Sequence, residues 1–212
     1  MLDICSGIRQ RKLKIKWDIR AHVNTIDAEM LCELKKSGCE LICYGIESGN
    51  NEILKRMKKG ITKEKAAEVI GLTKKAGIRT LAYFMLGFPA ETREQMRETI
   101  DFSKKLDPDF CHYAILVPFP CTAVYEEGLA RGIFKKDFWR EFAANPTAHF
   151  KPPVWVEKVP EHEMRELLEK AYKEFYFRPV YLMRRLLAVR SWGDFLRKTQ
   201  TGLRLFHQQG AK

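Results

Sequence analysis

The chain has 212 residues, 45% hydrophobic and 31% charged, so it can form a packed core and is not a wholly disordered protein. Its net charge is +11, and residues 178–212 carry +7 of it, eight Lys or Arg against the single acid Asp194. No apolar run approaches the roughly eighteen residues that span a bilayer, and "MLDICSGIRQRKLKIKW" lacks a signal peptide's apolar core, so a cytoplasmic protein is expected.

The first 120 residues alternate strand and helix patterns. "LKIKWDI" (13–19) alternates apolar and basic residues and predicts a strand. Residues 27–36 place Met30, Leu31 and Leu34 on one helical face, with Gly38 at the C-terminal stop. "LICYGI" (41–46) is a short apolar run suited to a strand buried on both faces. The pattern then repeats: Ala66, Val69, Ile70 and Thr73 line a helix opened by Thr62 and ended by Gly77, and "IRTLAYFML" (78–86) follows as a strand. The two helix–Gly–strand units are 39 residues apart, Gly38 to Gly77. Thr92 and Gln95 form a capping box for a helix through Met96, Thr99, Ile100 and Ser103, and "FCHYAILV" (110–117) supplies a further strand. Such alternation predicts parallel strands with right-handed helical crossovers, as an open sheet or a barrel.

Beyond Pro120 the periodicity fades. Residues 121–160 read as mostly loop, with a short helix near Glu126. Residues 161–177 are amphipathic through Met164, Leu167, Leu168, Ala171, Tyr172 and Phe175. Two short helices, around 182–189 and 192–205, complete a helical C-terminal extension. The expected division is therefore a barrel part, 1–128, and a loop-rich segment with a basic helical extension, 129–212.

Six cysteines, at positions 5, 32, 39, 43, 111 and 121, lie mostly in apolar stretches without a CxxC, and the five histidines stand singly. This pattern predicts core thiols and no zinc site. Cys39 and Cys43 have the spacing that opens a CxxxCxxC cluster loop, but Ile46 stands where the third thiolate would fall. On a strand those two cysteines lie about 13 Å apart, too far to converge on one cluster. No metal ligands are expected within this chain.

In parallel barrels the chemistry gathers at the carboxyl ends of the strands. Here those ends read "RAH" (20–22), "GIESG" (45–49), "GFPAET" (87–92) and "VPFPCT" (117–122). Glu47 closes an apolar strand, where an unpaired charge is costly, so it requires a partner. Spacing alone leaves two roles equally weighted: a functional carboxylate, or one arm of a buried ion pair with Arg20.

These stretches resemble the radical S-adenosylmethionine (SAM) enzyme family. The motifs that carry the resemblance are "GIESGNNEILKRMKKGIT" (45–62), "AGIRTLAYFMLGFPAET" (76–92), "VPFPCTAVYEEG" (117–128) and "AYKEFYFRPVYLMRRLL" (171–187). They are most similar to the subfamily joined to an upstream cobalamin-binding domain, such as the magnesium-protoporphyrin ester cyclase-like proteins. The resemblance implies strands three to six of a six-stranded partial (β/α) barrel, followed by the helical extension. It implies SAM contacts by Glu47 and Ser48, a SAM-carboxylate contact by Lys59, and an adenine border at Leu116, Val117 and Pro118. It further places Arg20 and Tyr83 in the cofactor site, although Tyr83 stands where some relatives have an acid. Ala90 and Cys121 replace glycines usual in the family's "GxPGET" and "PGT" turns.

The family's CxxxCxxC loop does not occur in these residues. The chain is then a piece of a longer protein, or a second chain completes the barrel, or the activity is lost; the first is favoured. The implied cofactors are SAM, a [4Fe–4S] cluster whose ligands lie outside the chain, and cobalamin on an upstream domain. The implied partners are a small-molecule substrate and the N-terminal half of the barrel. The reaction is methyl transfer or oxidative cyclisation. The competing reading is a basic module whose tail docks on RNA or an anionic membrane. In that tail Trp192, Phe195, Leu196, Leu203 and Phe206 form an apolar stripe beside Arg197, Lys198 and Arg204.

Overall fold

The computed structural model describes residues 1–187, in two compact units, Met1–Lys173 and the described part of Glu174–Lys212. The first unit holds a four-stranded sheet: β1 (Trp17–Ala21), β2 (Cys39–Glu47), β3 (Arg79–Leu86) and β4 (Phe110–Ile115). All three strand pairs are parallel and the strands lie in chain order, β1-β2-β3-β4. Helices α1 (Leu2–Gln10), α2 (Ala28–Lys36), α3 (Asn51–Arg56), α4 (Lys63–Lys75) and α5 (Arg93–Leu106) precede or connect them. This is the α/β arrangement of parallel strands and helical crossovers that the alternation predicts.

Local chemistry starts each crossover where the sequence places it. The Asp27 side chain accepts from the Met30 N–H, Thr62 from Lys65, and Thr92 and Gln95 close a reciprocal capping box. Gly38 and Gly77, both at positive φ, turn α2 and α4 into the strands that follow. Alternate residues then bury against the helices. The Tyr44 hydroxyl bonds Thr73 at 2.7 Å, Phe84 packs edge-on to Phe102, and the Tyr113 hydroxyl bonds Ser103. Ile42, Ile46, Ala82 and Leu86 are fully buried on the same side. By the two-residue period, Arg20, Cys43, Tyr83 and His112 point from the opposite face of the sheet, together with Leu81 and Met85.

Several elements differ from the sequence reading. β1 begins at Trp17 rather than Leu13, because its neighbour starts only at Cys39, which pairs with Trp17 and leaves residues 13–16 no strand to pair with. β4 ends at Ile115, two residues short of Val117. Helices α1, α3 and α7 (Phe138–Ala144) are additions. α1 buries only Cys5 and α7 buries nothing fully, so neither has the run of buried positions that marks the crossover helices. Cys39 and Cys43 are buried in β2, where desolvation pushes both thiols up, away from the thiolate form that metals bind.

Residues 116–155 are less structureless than their composition implies. Tyr125, from α6 (Ala123–Ala130), stacks on Phe134, which meets Trp155 edge-on, and Leu116, Leu129 and Trp139 pack around them. In α8 (Glu161–Tyr176), Met164, Leu167 and Ala171 are buried. Within the second unit, α9 (Pro179–Leu187) follows Arg178, whose guanidinium lies 4.5 Å over the Phe175 ring and 5.9 Å from Tyr181. The expected helix at 192–205, its apolar stripe and most of the basic tail lie outside the described residues.

Candidate functional site at the carboxyl ends of the strands

The end of β2 carries a strained carboxylate. The ladder slips between Gly45 and Glu47, and Glu47 takes φ +70°. The Ser48 N–H reaches back to the Ile46 carbonyl at 3.0 Å, closing a three-residue turn around Glu47. A non-glycine residue held in that region stores conformational energy, a feature concentrated at ligand sites. The slip aims the carboxylate at Lys59, whose Nζ lies 2.9 Å from Oε1, each side chain one quarter exposed. Gly45 makes room for the pair: a Cβ there would stand 2.6 Å from Glu47 Oε1 and 3.1 Å from Lys59 Nζ.

The loop after β1 holds Lys59 in place. His22 Nδ1 accepts from the Asn24 N–H, so Nε2 carries the ring proton and donates to the Lys59 carbonyl at 3.1 Å. The Asn24 amide donates to the Gly60 carbonyl at 2.8 Å. Glu47 therefore finds its partner in Lys59, not in Arg20, which projects from β1 opposite Cys43. Among the described residues Arg20 forms no ion pair. His22 falls within the strand end "RAH" and Asn24 just beyond it, but their role is not legible in sequence, since each acts through a backbone carbonyl nearly forty residues away.

The other expected site residues divide. Ser48 is fully buried; its hydroxyl bonds Thr99 Oγ1 at 3.1 Å and accepts from the Asn50 N–H. Tyr83 is half-buried on the sheet's open face, edge-on to His112 at 5.5 Å. The Leu116 N–H donates to Leu86 at 2.8 Å, and the Pro118 carbonyl accepts from Trp139 Nε1 at 2.8 Å. Of those three residues, Val117 is the one whose backbone neither bond occupies.

A second carboxylate organises the "GFPAET" turn after β3. Glu91, 2% exposed, accepts with Oε2 from the Gly87 and Phe88 N–H groups at 2.7 and 3.0 Å. Burial raises its pKa to about 7 against the pull of those bonds and of Arg56. The Arg56 guanidinium reaches the Pro89 carbonyl, tying α3 to this turn. From outside, Glu157 accepts from the Ala90 N–H at 2.9 Å and from Trp155 Nε1 at 2.9 Å, and it pairs with Arg131. These bonds, the Trp155 N–H foremost, hold the Glu157 carboxyl below its ordinary range. Nothing in "FKPPVWVEKVP" marks Glu157 for this part.

Ala90 at φ +55° and Cys121 at φ +62° occupy left-handed turns, which explains why glycine is usual at both positions. Left-handed backbone costs a side-chain-bearing residue about 1–2 kcal/mol, and glycine returns about half of that in unfolded-state entropy. Ala90→Gly and Cys121→Gly are each expected to stabilise the protein by about 0.5–1 kcal/mol. Urea midpoints measured at constant slope check this, and a drop for either variant would refute it.

Among the described residues no group of three or more His, Cys, Asp or Glu side chains is placed to hold a metal ion. The strand ends instead offer paired organic functions: a carboxylate and an ammonium at β2, and tight backbone turns at β3 and β4. Residues 2–103 match the family model described as the Radical SAM superfamily. This stretch belongs to the radical SAM superfamily.

Over 183 residues, a span that runs beyond the radical SAM stretch, the chain is 34% identical to an uncharacterized methyltransferase of Pyrococcus horikoshii, covering 86% of this chain and 39% of the relative. An anaerobic magnesium-protoporphyrin IX monomethyl ester cyclase of Rubrivivax gelatinosus is 28% identical over 183 residues, covering 83% of this chain and 32% of the cyclase. The chain thus spans less than two fifths of the length of either relative. The fold is shared with the radical SAM methyltransferase TsrM of Kitasatospora setae, at a TM-score of 0.56 and 23% identity over 61% of this chain and 27% of TsrM. No helix among the described residues is long and apolar enough to cross a membrane.

Proposed function

We propose that this chain forms strands three to six of a radical SAM catalytic core, in which Glu47 and Lys59 hold the amino-acid end of SAM. The observation that carries this reading is the Glu47–Lys59 pair, set over Gly45 at the carboxyl end of β2 by a strained turn. An amino acid presents an ammonium and a carboxylate on one carbon, the mirror of this pair. Its ammonium can take the place of Lys59 on Glu47, and its carboxylate the place of Glu47 on Lys59, so no charge is left unpaired on binding.

The remaining assignments follow from this placement. Val117 borders the adenine through its backbone, between the engaged Leu116 N–H and Pro118 carbonyl. Ser48 acts by seating the turn rather than by touching the ligand, and Arg20 faces the interior from β1. Residues 1–128 constitute the barrel part, and the segment from 129 onward braces it through Glu157. When bound, SAM would be cleaved by one electron to methionine and a 5′-deoxyadenosyl radical, and a [4Fe–4S] cluster, for which the described residues offer no ligand set, would supply that electron. The names of the relatives favour methyl transfer or oxidative cyclisation on a small molecule. Cobalamin use rests on the resemblance of the motifs.

The test is SAM affinity by calorimetry in the protein that includes the cluster-binding half. Glu47→Gln and Lys59→Gln should each weaken binding by at least tenfold while the melting temperature changes little. The pair is partly exposed, so its loss costs the fold about 1 kcal/mol at most. Unchanged SAM affinity with a lowered melting temperature would show that the pair only closes the turn.

A further inference from the structure

On the open face of the sheet, His112 is an imidazole whose tautomer the hydrogen bonds define. It projects from β4 between Phe110 and Ala114 and pairs across the ladder with Tyr83. Its Nδ1 lies 3.1 Å from the Tyr172 hydroxyl, delivered from α8 along the edge of β4. That hydroxyl has one proton, and it is spent: Tyr172 donates to the Tyr113 carbonyl at 2.9 Å, and a carbonyl can only accept. The Tyr172 oxygen also accepts from the Tyr113 N–H at 3.1 Å. Toward His112 the same oxygen is therefore an acceptor, and the ring proton sits on Nδ1. Burial pushes the Tyr172 phenol up, so the hydroxyl keeps its proton.

Neutral imidazole with its proton on Nδ1 presents a bare lone pair at Nε2. No hydrogen bond to Nε2 is formed within the described residues, and His112 is exposed on the face that Leu81, Met85 and Tyr83 share. Tyr83 stands edge-on to the ring, 5.5 Å between centroids at 74°. The face thus combines one oriented acceptor with apolar and aromatic walls.

We infer that His112 is the substrate-facing acceptor of this sheet. Its Nε2 receives a hydrogen bond from an N–H or O–H group on a small, apolar-bodied or aromatic molecule lying on the open face, and Tyr172 is the positioning residue that fixes the tautomer. If the bound group is deprotonated, its proton moves to Nε2, the ring becomes imidazolium, and the electron pair stays on the substrate heteroatom. This inference rests on the radical SAM reading for the presence of a substrate on that face, but the ring nitrogens report it independently of SAM.

The experiment is ring ¹⁵N NMR of histidine-labelled full chain, with phenol as the O–H donor probe and His22, His149 and His162 as internal references. Wild type should show His112 protonated at Nδ1 and bare at Nε2, and phenol should move the Nε2 resonance saturably. Tyr172→Phe, checked for folding by its melt, should shift His112 toward the Nε2-protonated tautomer and weaken the phenol response at least fivefold. Nε2 protonated in the wild type, a wild-type Nε2 indifferent to phenol, or an equal response in Tyr172→Phe would each overturn the inference. SAM affinity in the Glu47 variants tests the cofactor reading separately, so the two can fail apart.

Discussion

Gly49→Ala should be among the most damaging single-methyl additions in the chain, destabilising it by about 3 kcal/mol or preventing folding. A Cβ at Gly49 would stand 2.5 Å from Phe102 Cβ, 2.8 Å from Thr99 Cα and 2.9 Å from the Glu98 carbonyl. Two of these three atoms are backbone of α5, so no rotamer change relieves the clash; the turn after β2 or the helix itself must move. That movement would also break the bonds that Thr99 Oγ1 makes with the Ser48 hydroxyl and accepts from the Gly49 N–H. The same turn carries Glu47, so any folded remainder should lose the geometry of the Glu47–Lys59 pair. Gly71→Ala is the matched control. Gly71 lies inside α4 with no neighbouring atom within 4 Å of the point a Cβ would occupy, and alanine there should stabilise by about 0.5–1 kcal/mol through helix propensity. Equal effects of the two substitutions in urea denaturation would show that the close approach of the turn to α5 is not what requires glycine.

The contrast between these two glycines shows what was legible in the sequence. The alternation of periods gave the crossovers, because capping residues, buried helical stripes and stop glycines act within a few positions of one another. Thr62, Thr92, Gln95, Gly38 and Gly77 all perform the local task that their neighbours imply. Glu47 was legible as a charge needing a partner, since a carboxylate at the end of an apolar strand has few ways to be stable. Its partner was not, because Lys59 arrives on a loop whose position is set by His22 and Asn24 through backbone carbonyls, and carbonyls leave no trace in the choice of residue. Ser48 shows the reverse difficulty. It sits within the most informative motif, yet its hydroxyl is directed at Thr99, 51 positions along. The aromatic core of residues 116–155 escaped for a related reason: Tyr125, Phe134 and Trp155 follow neither a helical nor a strand period, and only the folded turns bring them together.

The second large effect is a pH dependence centred on Glu91. Its ordinary pKa of 4.5 rises to about 7 in the folded protein, chiefly through burial. Below pH 4.5 the carboxyl is protonated in both states and contributes nothing to the pH slope. Between 4.5 and about 7 the unfolded chain ionises while the folded chain keeps its proton, so the folded state binds more protons and stability falls as pH rises. Above pH 7 both states are ionised, and the folded state retains the full penalty, about 3 kcal/mol. The structure shows the source of that penalty: Oε2 is satisfied by the Gly87 and Phe88 N–H groups, but Oε1 is buried without a partner among the described residues. Glu91→Gln keeps an oxygen for the two N–H groups and removes the titration, although its buried amide nitrogen carries an offset of about 1–3 kcal/mol of its own. The quantity to measure is therefore a double difference: the change in unfolding free energy from pH 5 to pH 8, wild type minus Glu91→Gln. Carboxyls held below their ordinary range, such as Glu157, titrate equally in both proteins and cancel. Wild type should lose about 2–3 kcal/mol more than the variant across this interval. Glu91→Ala, which abandons both turn bonds, should be destabilised at either pH and lack the slope. Parallel pH curves for wild type and Glu91→Gln would mean that the carboxylate is ionised throughout, held down by Arg56 and the turn against its burial.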